Sequence, residues 1–425
     1  MHSASLANQK KWTVLFYGGG VNDLQSSIRK AWQQLEEQEA PVDVDTFVQH
    51  FDSEGHSQEA HFEAGGKPTL LPRSEAPVNS GDGETFKNFL ISGMKRFPAS
   101  HYLVVVSSHG SGAGGVVSDQ VAHDGLSLQE FGRGMESARV ANGGRPIDMV
   151  MFDACQMGSA EMAMELEGKA EVMVASLDNV GNSGYHLPTL IKQASQADDA
   201  AQLAWAVVGN EDSQQKRTFR TLSAVDLKDL KPFRSAFAEW SGELSKLGED
   251  ELTRVRDLLA AARRNSNAPE TQSTFDSIAE DLLSQYPVDV GLLKSWIAGT
   301  QTGPGVAIAP FLRSLLDSES IITANPALQK SSQALLRAHD NLILAQRSTD
   351  GTAGMTIHAP LENVAGPLYR QDDGELPGLD ETGWEKAYDA VLPEGQTLPH
   401  KPTWLETELA PMLPKSYGDQ NEGGP

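Results

Sequence analysis

The sequence predicts an α/β fold: a mostly parallel sheet covered by helices, with a helical C-terminal part. Three observations carry that expectation. Short apolar runs without polar alternation recur through the first 225 residues. Segments with helical spacing separate them, and two of the runs end in glycine-rich loops that each present one reactive side chain. A strand that is apolar at successive positions is buried on both faces, as in the parallel sheet of a βαβ protein.

The elements follow in order. Trp12 to Tyr17 reads as the first strand, and Asn22 and Asp23 stand as caps before a helix marked by Leu24, Ile28, Ala31 or Trp32, and Leu35. Val42 to Phe51 is strand-like, and an irregular, hairpin-prone stretch runs on to about residue 82. Phe86, Phe89, Leu90 and Met94 mark a helix before the strand that ends at Val106. Leu128, Phe131, Met135 and Ala138 mark the next helix, Ile147 to Phe152 the next strand, and Glu161 to Leu166 a short helix. Val172 to Ser176 and Thr218 to Val225 read as further strands. Helical spacing then dominates, as in Leu252, Val255, Leu258 and Leu259, until a late strand signal at Gly354 to Ala359. The expected division is a flexible N-terminus (1–11), an α/β core (12–225), a mostly helical region (226–347), a C-terminal strand and helix completing the fold (348–395), and a partly disordered tail (396–425).

The chain of 425 residues carries 34 basic and 58 acidic side chains, a net charge of −24. That surface excludes nonspecific binding to nucleic acid or to anionic membranes, both of which need positive charge. No apolar run approaches the roughly 18 residues of a membrane span, and the first strand begins too early for a secretion signal. The expectation is therefore a cytoplasmic protein as written, or a secreted or periplasmic one if a leader has been trimmed. A monomer is expected. Cys155 is the only cysteine, which rules out internal disulfides and multi-cysteine zinc sites.

The stretch "LVVVSSHGSGAGG" runs from a buried strand straight into His109 and then into glycine. Ligands and catalytic groups collect at that edge of an α/β sheet. On this stretch alone, His109 is either a reactive group or a strand-end histidine satisfied by hydrogen bonds. Cys155 follows 46 residues later with the same design, "DMVMFDACQMGS". A thiolate nucleophile needs a nearby base and room for a carbonyl to approach, and glycine supplies access and free backbone N–H groups. The order, the spacing and the residues flanking Cys155 resemble the caspase pattern of a histidine about fifty residues before the cysteine.

The resemblance is closer to the clostripain family of cysteine peptidases. "FDACQMGSAEMAMEL" resembles that family's nucleophile motif and "SSHGSGAGGVVSD" its histidine motif. "WTVLFYGGGVNDLQ", "DGLSLQEF", "VMVASLDNVGNSGY", "TLSAVDL", "YPVDVGLL", "AGMTIHAPLENVAGPLYR" and "ETGWEKAYDAVL" fall in the family's order, so the likeness spans about residues 12 to 392. It implies a caspase-like α/β/α sandwich and peptide-bond hydrolysis by a Cys–His dyad with no required cofactor or metal. Calcium stimulation has no motif behind it. By position, Cys155 attacks the scissile carbonyl and His109 protonates the leaving amine, then activates water. The backbone N–H groups of Gly110 and Cys155 form the oxyanion hole, and Asp153 lines a pocket for Arg or Lys at P1. Ser176, Asp178 and Asn182 wall that pocket. An imidazolium at His109 is expected to depress the thiol pKa of Cys155.

Two departures from the family pattern bear on function. Many relatives carry an acid in the pocket loop where this chain has Asn182, which predicts a less sharp basic preference. The loop after His109 has no Lys or Arg until Arg133, so the enzyme is expected to work as one chain. Other motifs fall short. "HSQEAH" misses the inverted zinc-protease spacing, "GGGVND" is not a dinucleotide fingerprint, and no phosphate-binding loop or G-x-S-x-G elbow occurs. The rival reading is a caspase-fold protein that has lost turnover and serves as a binding or regulatory module.

Overall fold

The computed structural model describes residues 9–37, 40–64, 67–265, 302–349, 352, 354–359 and 382–392. In chain order these form β1 (Lys10–Gly18), α1 (Gln25–Glu36), β2 (Val44–Phe51), β3 (Ser57–Phe62), β4 (Thr69–Leu70), α2 (Gly83–Arg96), β5 (Ala99–Ser107), β6 (Val116–Asp119), β7 (Asp124–Leu126), α3 (Leu128–Ala141), β8 (Ile147–Asp153), α4 (Ala160–Glu165) and β9 (Ala170–Ala175). They continue as α5 (Leu187–Gln196), α6 (Ala200–Val208), α7 (Ser213–Thr218), β10 (Thr221–Asp226), α8 (Lys231–Leu244), α9 (Glu249–Ala262), β11 (Arg263–Asn265) and β12 (Thr302–Ala307). The last are α10 (Ile308–Asp317), α11 (Glu319–Ile322), α12 (Pro326–Leu342), β13 (Ile343–Ser348), β14 (Thr356–His358) and α13 (Trp384–Val391).

Nine strands share one sheet in the order β13-β10-β9-β8-β5-β1-β2-β3-β4. The five central strands pair in parallel, and both flanks are antiparallel. Alternate residues of each central strand enter different cores. Leu15, Tyr17, Val104, Val106, Val150 and Phe152 pack on the face covered by α2, α3 and α4. Trp12, Val14, Phe16, Leu103, Val105, Met149 and Met151 pack on the other, under α1, α5 and α6. Burial on both faces is what the unbroken apolar runs anticipate, and helices on both faces make an α/β/α sandwich.

The helices obey the expected periodicity. Helix α1 buries Ile28, Trp32 and Leu35. Helix α3 begins with a capping box between Ser127 and Glu130 and buries Leu128, Phe131, Met135 and Ala138. Asn22 and Asp23 do not sit at the N-cap of α1: Leu24 does, without a side-chain cap. Both residues belong to the preceding turn, where they have other partners.

Two expected elements differ. The segment 218–225 begins with the end of α7 and becomes strand only at Thr221. Residues 343–348, inside the region of helical spacing, form edge strand β13, antiparallel to β10. The late strand signal is observed as β14, which joins a three-stranded sheet with β11 and β12. The block "YPVDVGLL" and the C-terminal tail lie outside the described residues.

Phe152 has no exposure and packs on Phe131 with ring centroids 5.2 Å apart, beneath the strand that carries the nucleophile loop. Phe152→Ala should destabilise the fold by about 3–5 kcal/mol in urea unfolding. A loss below about 1 kcal/mol would mean that this core collapses around the gap.

Candidate active site

Strands β1, β5 and β8 end in line. Gly18 pairs with Ser107, and Ser107 pairs with Asp153. Each strand then releases its chain into a loop on the same edge of the sheet. Connections from β1 pass through α1 on one face, and those from β5 and β8 pass through α3 and α4 on the other. The crevice where neighbouring connections part is the place where α/β sheets bind ligands.

His109 and Cys155 each lie two residues beyond the paired ends Ser107 and Asp153. Gly110 packs directly on the nucleophile loop. A Cβ there would come 2.5 Å from the Cys155 carbonyl oxygen and 2.9 Å from the Met157 sulfur, so only glycine fits without displacing backbone. Among the described residues, neither the Gly110 nor the Cys155 N–H donates to another backbone carbonyl.

Two non-glycine residues adopt the left-handed backbone region beside these groups: Gln156 at φ 60° and Val117 at φ 63°. Such positions persist where the surroundings over-determine them. The Gln156 N–H donates to the Asp178 carbonyl (3.0 Å) and its side-chain amide to Asn179 Oδ1 (2.9 Å). The Val117 N–H donates to the His109 carbonyl (2.9 Å).

The imidazole of His109 is held by Asp23, with Nε2 2.6 Å from Oδ1. No hydrogen bond joins His109 to Cys155. The thiol instead receives the Val180 N–H, at 3.3 Å. Cys155 is half-buried, and enough protein surrounds the sulfur that burial pushes the thiol up to about 11; the charges of Asp153 and Asp23 add to this and the Val180 N–H opposes it. The expected acidified thiol is therefore not the resting state. Two carboxylates and burial act on the sulfur, while the imidazole is engaged elsewhere.

Asp153 is buried at the end of β8. Its Oδ2 accepts the Ser107 hydroxyl at 3.0 Å, and the Tyr185 N–H also reaches the carboxylate. Gly184, at φ +60°, closes on it so tightly that a Cβ would lie 2.5 Å from Oδ2. Burial pushes Asp153 up to about 6, against the lowering effect of Ser107 and Tyr185.

The remaining expected pocket residues share the loop after β9. Ser176 is fully buried, and its hydroxyl pairs with Thr221 (3.0 Å) and accepts the Asp178 N–H (3.1 Å), so it shapes the loop from beneath. Asp178 is buried, with its carbonyl on the nucleophile loop. Asn182 is exposed, two residues before the glycine that touches Asp153.

Sequence reasoning took Asn22 and Asp23 for caps and overlooked Val180 and Gln156. The glycine run before Asn22 is the signal that could have found the first pair. At Gly19 a Cβ would lie 2.4 Å from Val117, so that turn is pressed against the histidine loop. His56 and His61 of "HSQEAH" sit four strands from β8. His56 lies beside Asp52, Glu54 and Arg73, and His61 beside Asp45 and Glu63. A guanidinium within hydrogen-bond reach of His56 disfavours a cation there.

The sequence profile of the clostripain family, peptidase family C11, matches residues 20–294. The chain belongs to the clostripain family. It is thus a cysteine-type peptidase that acts on peptide substrates. No curated protein matches it. Among solved structures it is similar to a secreted C11 cysteine protease of Bacteroides thetaiotaomicron, iotapain, at 13% identity and TM-score 0.58, covering 90% of this chain and 99% of that one. A Bacteroides thetaiotaomicron C11 protease bound to an irreversible peptide inhibitor gives 15%, 0.55, 88% and 99% in the same order. An inactive zymogen C11 protease of Parabacteroides distasonis gives 16%, 0.52, 91% and 99%. These likenesses carry the fold: this clostripain-family peptidase has the caspase-like α/β/α architecture. Among its described residues no helix is long and apolar enough to cross a membrane.

Alkylation of the free peptidase by iodoacetamide should stay slow at neutral pH and rise toward about 11, well beyond the ordinary thiol value of about 8.5. A rate already at its plateau at pH 8 would contradict the neutral resting thiol.

Proposed function

We propose that this peptidase cleaves after Arg or Lys at P1 with a Cys155–His109 dyad, working as a monomer and without a metal. The observation that carries the reading is the pairing of Ser107 with Asp153, which sets the His109 and Cys155 loops side by side over a buried carboxylate. Cys155 Sγ bonds to the scissile carbonyl carbon as its proton passes to the imidazole of His109. The tetrahedral oxyanion takes the N–H groups of Gly110 and Cys155. Collapse breaks the C–N bond while His109 returns the proton to the leaving amine. Water, deprotonated by His109, then attacks the thioester, and breaking the C–S bond with return of that proton regenerates the thiol. Catalytic hydrogen bonds are often long or absent until substrate binds, so the engaged state of His109 in the free enzyme is compatible with this sequence.

Asp153 suits the base of a pocket for a cation. Its buried carboxylate has two donors and packs closely against Gly184. Ser176 and Asp178 shape the wall, and Asn182 stands at the exposed part of the same loop. A single pocket acid leaves more of the P1 charge uncompensated than two would.

Cys155→Ala and His109→Ala should each lower kcat/KM by about 10⁴-fold or more, with no further loss in the double variant. A peptidyl-Arg acyloxymethyl ketone should label wild type and not Cys155→Ala. A His109→Ala enzyme with normal turnover would remove the dyad.

In a P1-varied fluorogenic library, Asp153→Asn should cost basic substrates roughly tenfold or more relative to neutral ones, the equivalent of about 1.4 kcal/mol. Asn182→Asp should improve them. Above pH about 6 Asp153 is a carboxylate and below it a neutral acid, so the basic preference of wild type should shrink as the pH falls through that value. A preference for Asp at P1, or an unchanged ratio in Asp153→Asn, would sink the pocket assignment.

A further inference from the structure

We propose that Asp23 is a positioning residue for the reaction: it fixes the tautomer and orientation of His109 and balances the positive charge that the imidazole gains when it takes the thiol proton. The inference rests on the dyad reading above and adds a third member to it.

The geometry is specific. Asp23 Oδ1 lies 2.6 Å from His109 Nε2, the short range of a charge-assisted hydrogen bond. The bond to His109 holds the Asp23 carboxyl below the ordinary carboxylate range, so the group is an anion that can only accept. Nε2 therefore carries the proton. In the neutral ring Nδ1 is then the free base, the one nitrogen left to exchange a proton with Cys155 Sγ.

Asp23 does not reach the imidazole by chance of a loose loop. The turn that carries it is laced to the segment that carries His109. The Asn22 side-chain amide donates to the carbonyls of Gly19 (3.0 Å) and Ser118 (2.7 Å) and to Ser108 Oγ (3.2 Å), while its Oδ1 accepts the Leu24 N–H (2.9 Å). Ser108 Oγ donates to the Gly19 carbonyl at 2.6 Å, and the Gln120 N–H to the Val21 carbonyl at 2.8 Å. Asn22 thus clamps the two loops and Asp23, the next residue, is aimed across the clamp. Asp23 makes no cap for α1, so its placement has no local helical explanation. A rigid support behind a catalytic imidazole is what keeps a proton acceptor within productive geometry.

The test uses full-length protein with Asp23→Asn, Asp23→Glu and Asp23→Ala. Asparagine can still accept from Nε2–H but lacks the charge, glutamate restores the charge with a longer arm, and alanine removes both. Expected kcat losses are greatest for alanine, about 10–100-fold, a part of the roughly 10²–10⁴-fold that general acid–base catalysis supplies. Asparagine should fall between alanine and wild type, glutamate should recover part of the rate, and KM for a substrate of fixed P1 residue should hardly move. Histidine-¹⁵N NMR on the Cys155→Ala background reads the tautomer without turnover. His109 should appear as the Nε2–H form with a far-downfield proton when Asp23 is present, and as a tautomer mixture without that proton in Asp23→Ala. The pairs His61–Asp45 (2.9 Å) and His101–Asp148 (2.7 Å) serve as internal controls whose signals persist. Wild-type kcat in both Asp23→Asn and Asp23→Ala, or an unchanged His109 spectrum, overturns the proposal. Should Asp23→Ala fold poorly, the asparagine and glutamate variants decide by the same readouts. If His109→Ala retains turnover, the dyad itself fails, and the NMR result then stands apart as a structural pairing only.

Discussion

Everything at the site depends on the register of three parallel strands. Because Gly18, Ser107 and Asp153 are consecutive partners across β1, β5 and β8, the loops that follow them leave the sheet at one level. Parallel pairing is what makes this work, since antiparallel neighbours would send successive strand ends to opposite edges. A slip of one residue in any pair would turn each side chain to the other face and send Phe152 or Val106 to the wrong core. The two dry cores on either side of the sheet therefore guard the alignment of groups that contribute nothing to those cores. Close glycine contacts finish the work: Gly110 against the Cys155 carbonyl, Gly184 against the Asp153 side chain and Gly19 against the Val117 side chain.

Much of this was legible in the sequence because it rests on local, strong signals. Unbroken aliphatic runs such as Leu103–Val106 have no good alternative to a strand buried on both faces, and His109 and Cys155 announce themselves by following such runs into glycine. The misreadings occur where tertiary pairing overrides local pattern. Ile343–Ser348 continues the helical spacing of α12, yet its half-buried residues complete the sheet edge beside β10. Asn22 and Asp23 look like caps because Asx residues before a helix usually are, but the histidine loop claims both side chains first. The state of the thiol was out of reach for a different reason. It depends on burial and on Val180, which stands 25 residues from Cys155 and carries no polar side chain to betray its part.

In the resting arrangement Cys155 and His109 have separate partners. Cys155 is kept neutral by burial against the pull of the Val180 N–H, and His109 is tethered to Asp23. A lone thiolate in that setting would feel the negative charges of Asp153 and Asp23, so the sulfur has reason to keep its proton until a cation develops beside it. An imidazolium is that cation. Proton transfer from Sγ to the ring then creates an ion pair inside a field already shaped by Asp23, and the same carboxylate that disfavours the thiolate alone favours the pair. On the proposed dyad, neutral thiol at rest and nucleophilic thiolate in turnover would be two outcomes of one charge distribution.

A similar argument governs the pocket. Asp153 is reluctant to ionise because burial removes most of its water and only the Ser107 hydroxyl and the Tyr185 N–H replace it. That reluctance is a free-energy penalty on the empty carboxylate, and a basic P1 side chain would relieve it by supplying charge and donors where solvent cannot. Attraction in such a site exceeds that of a surface pair because less solvent screens it. The burial that raises Asp153 toward neutral pH and the burial that would make it selective are therefore the same physical feature. A variant that exposed Asp153 to water would return it to an ordinary acid and, on the proposed P1 role, weaken the attraction of a cationic side chain by the same step.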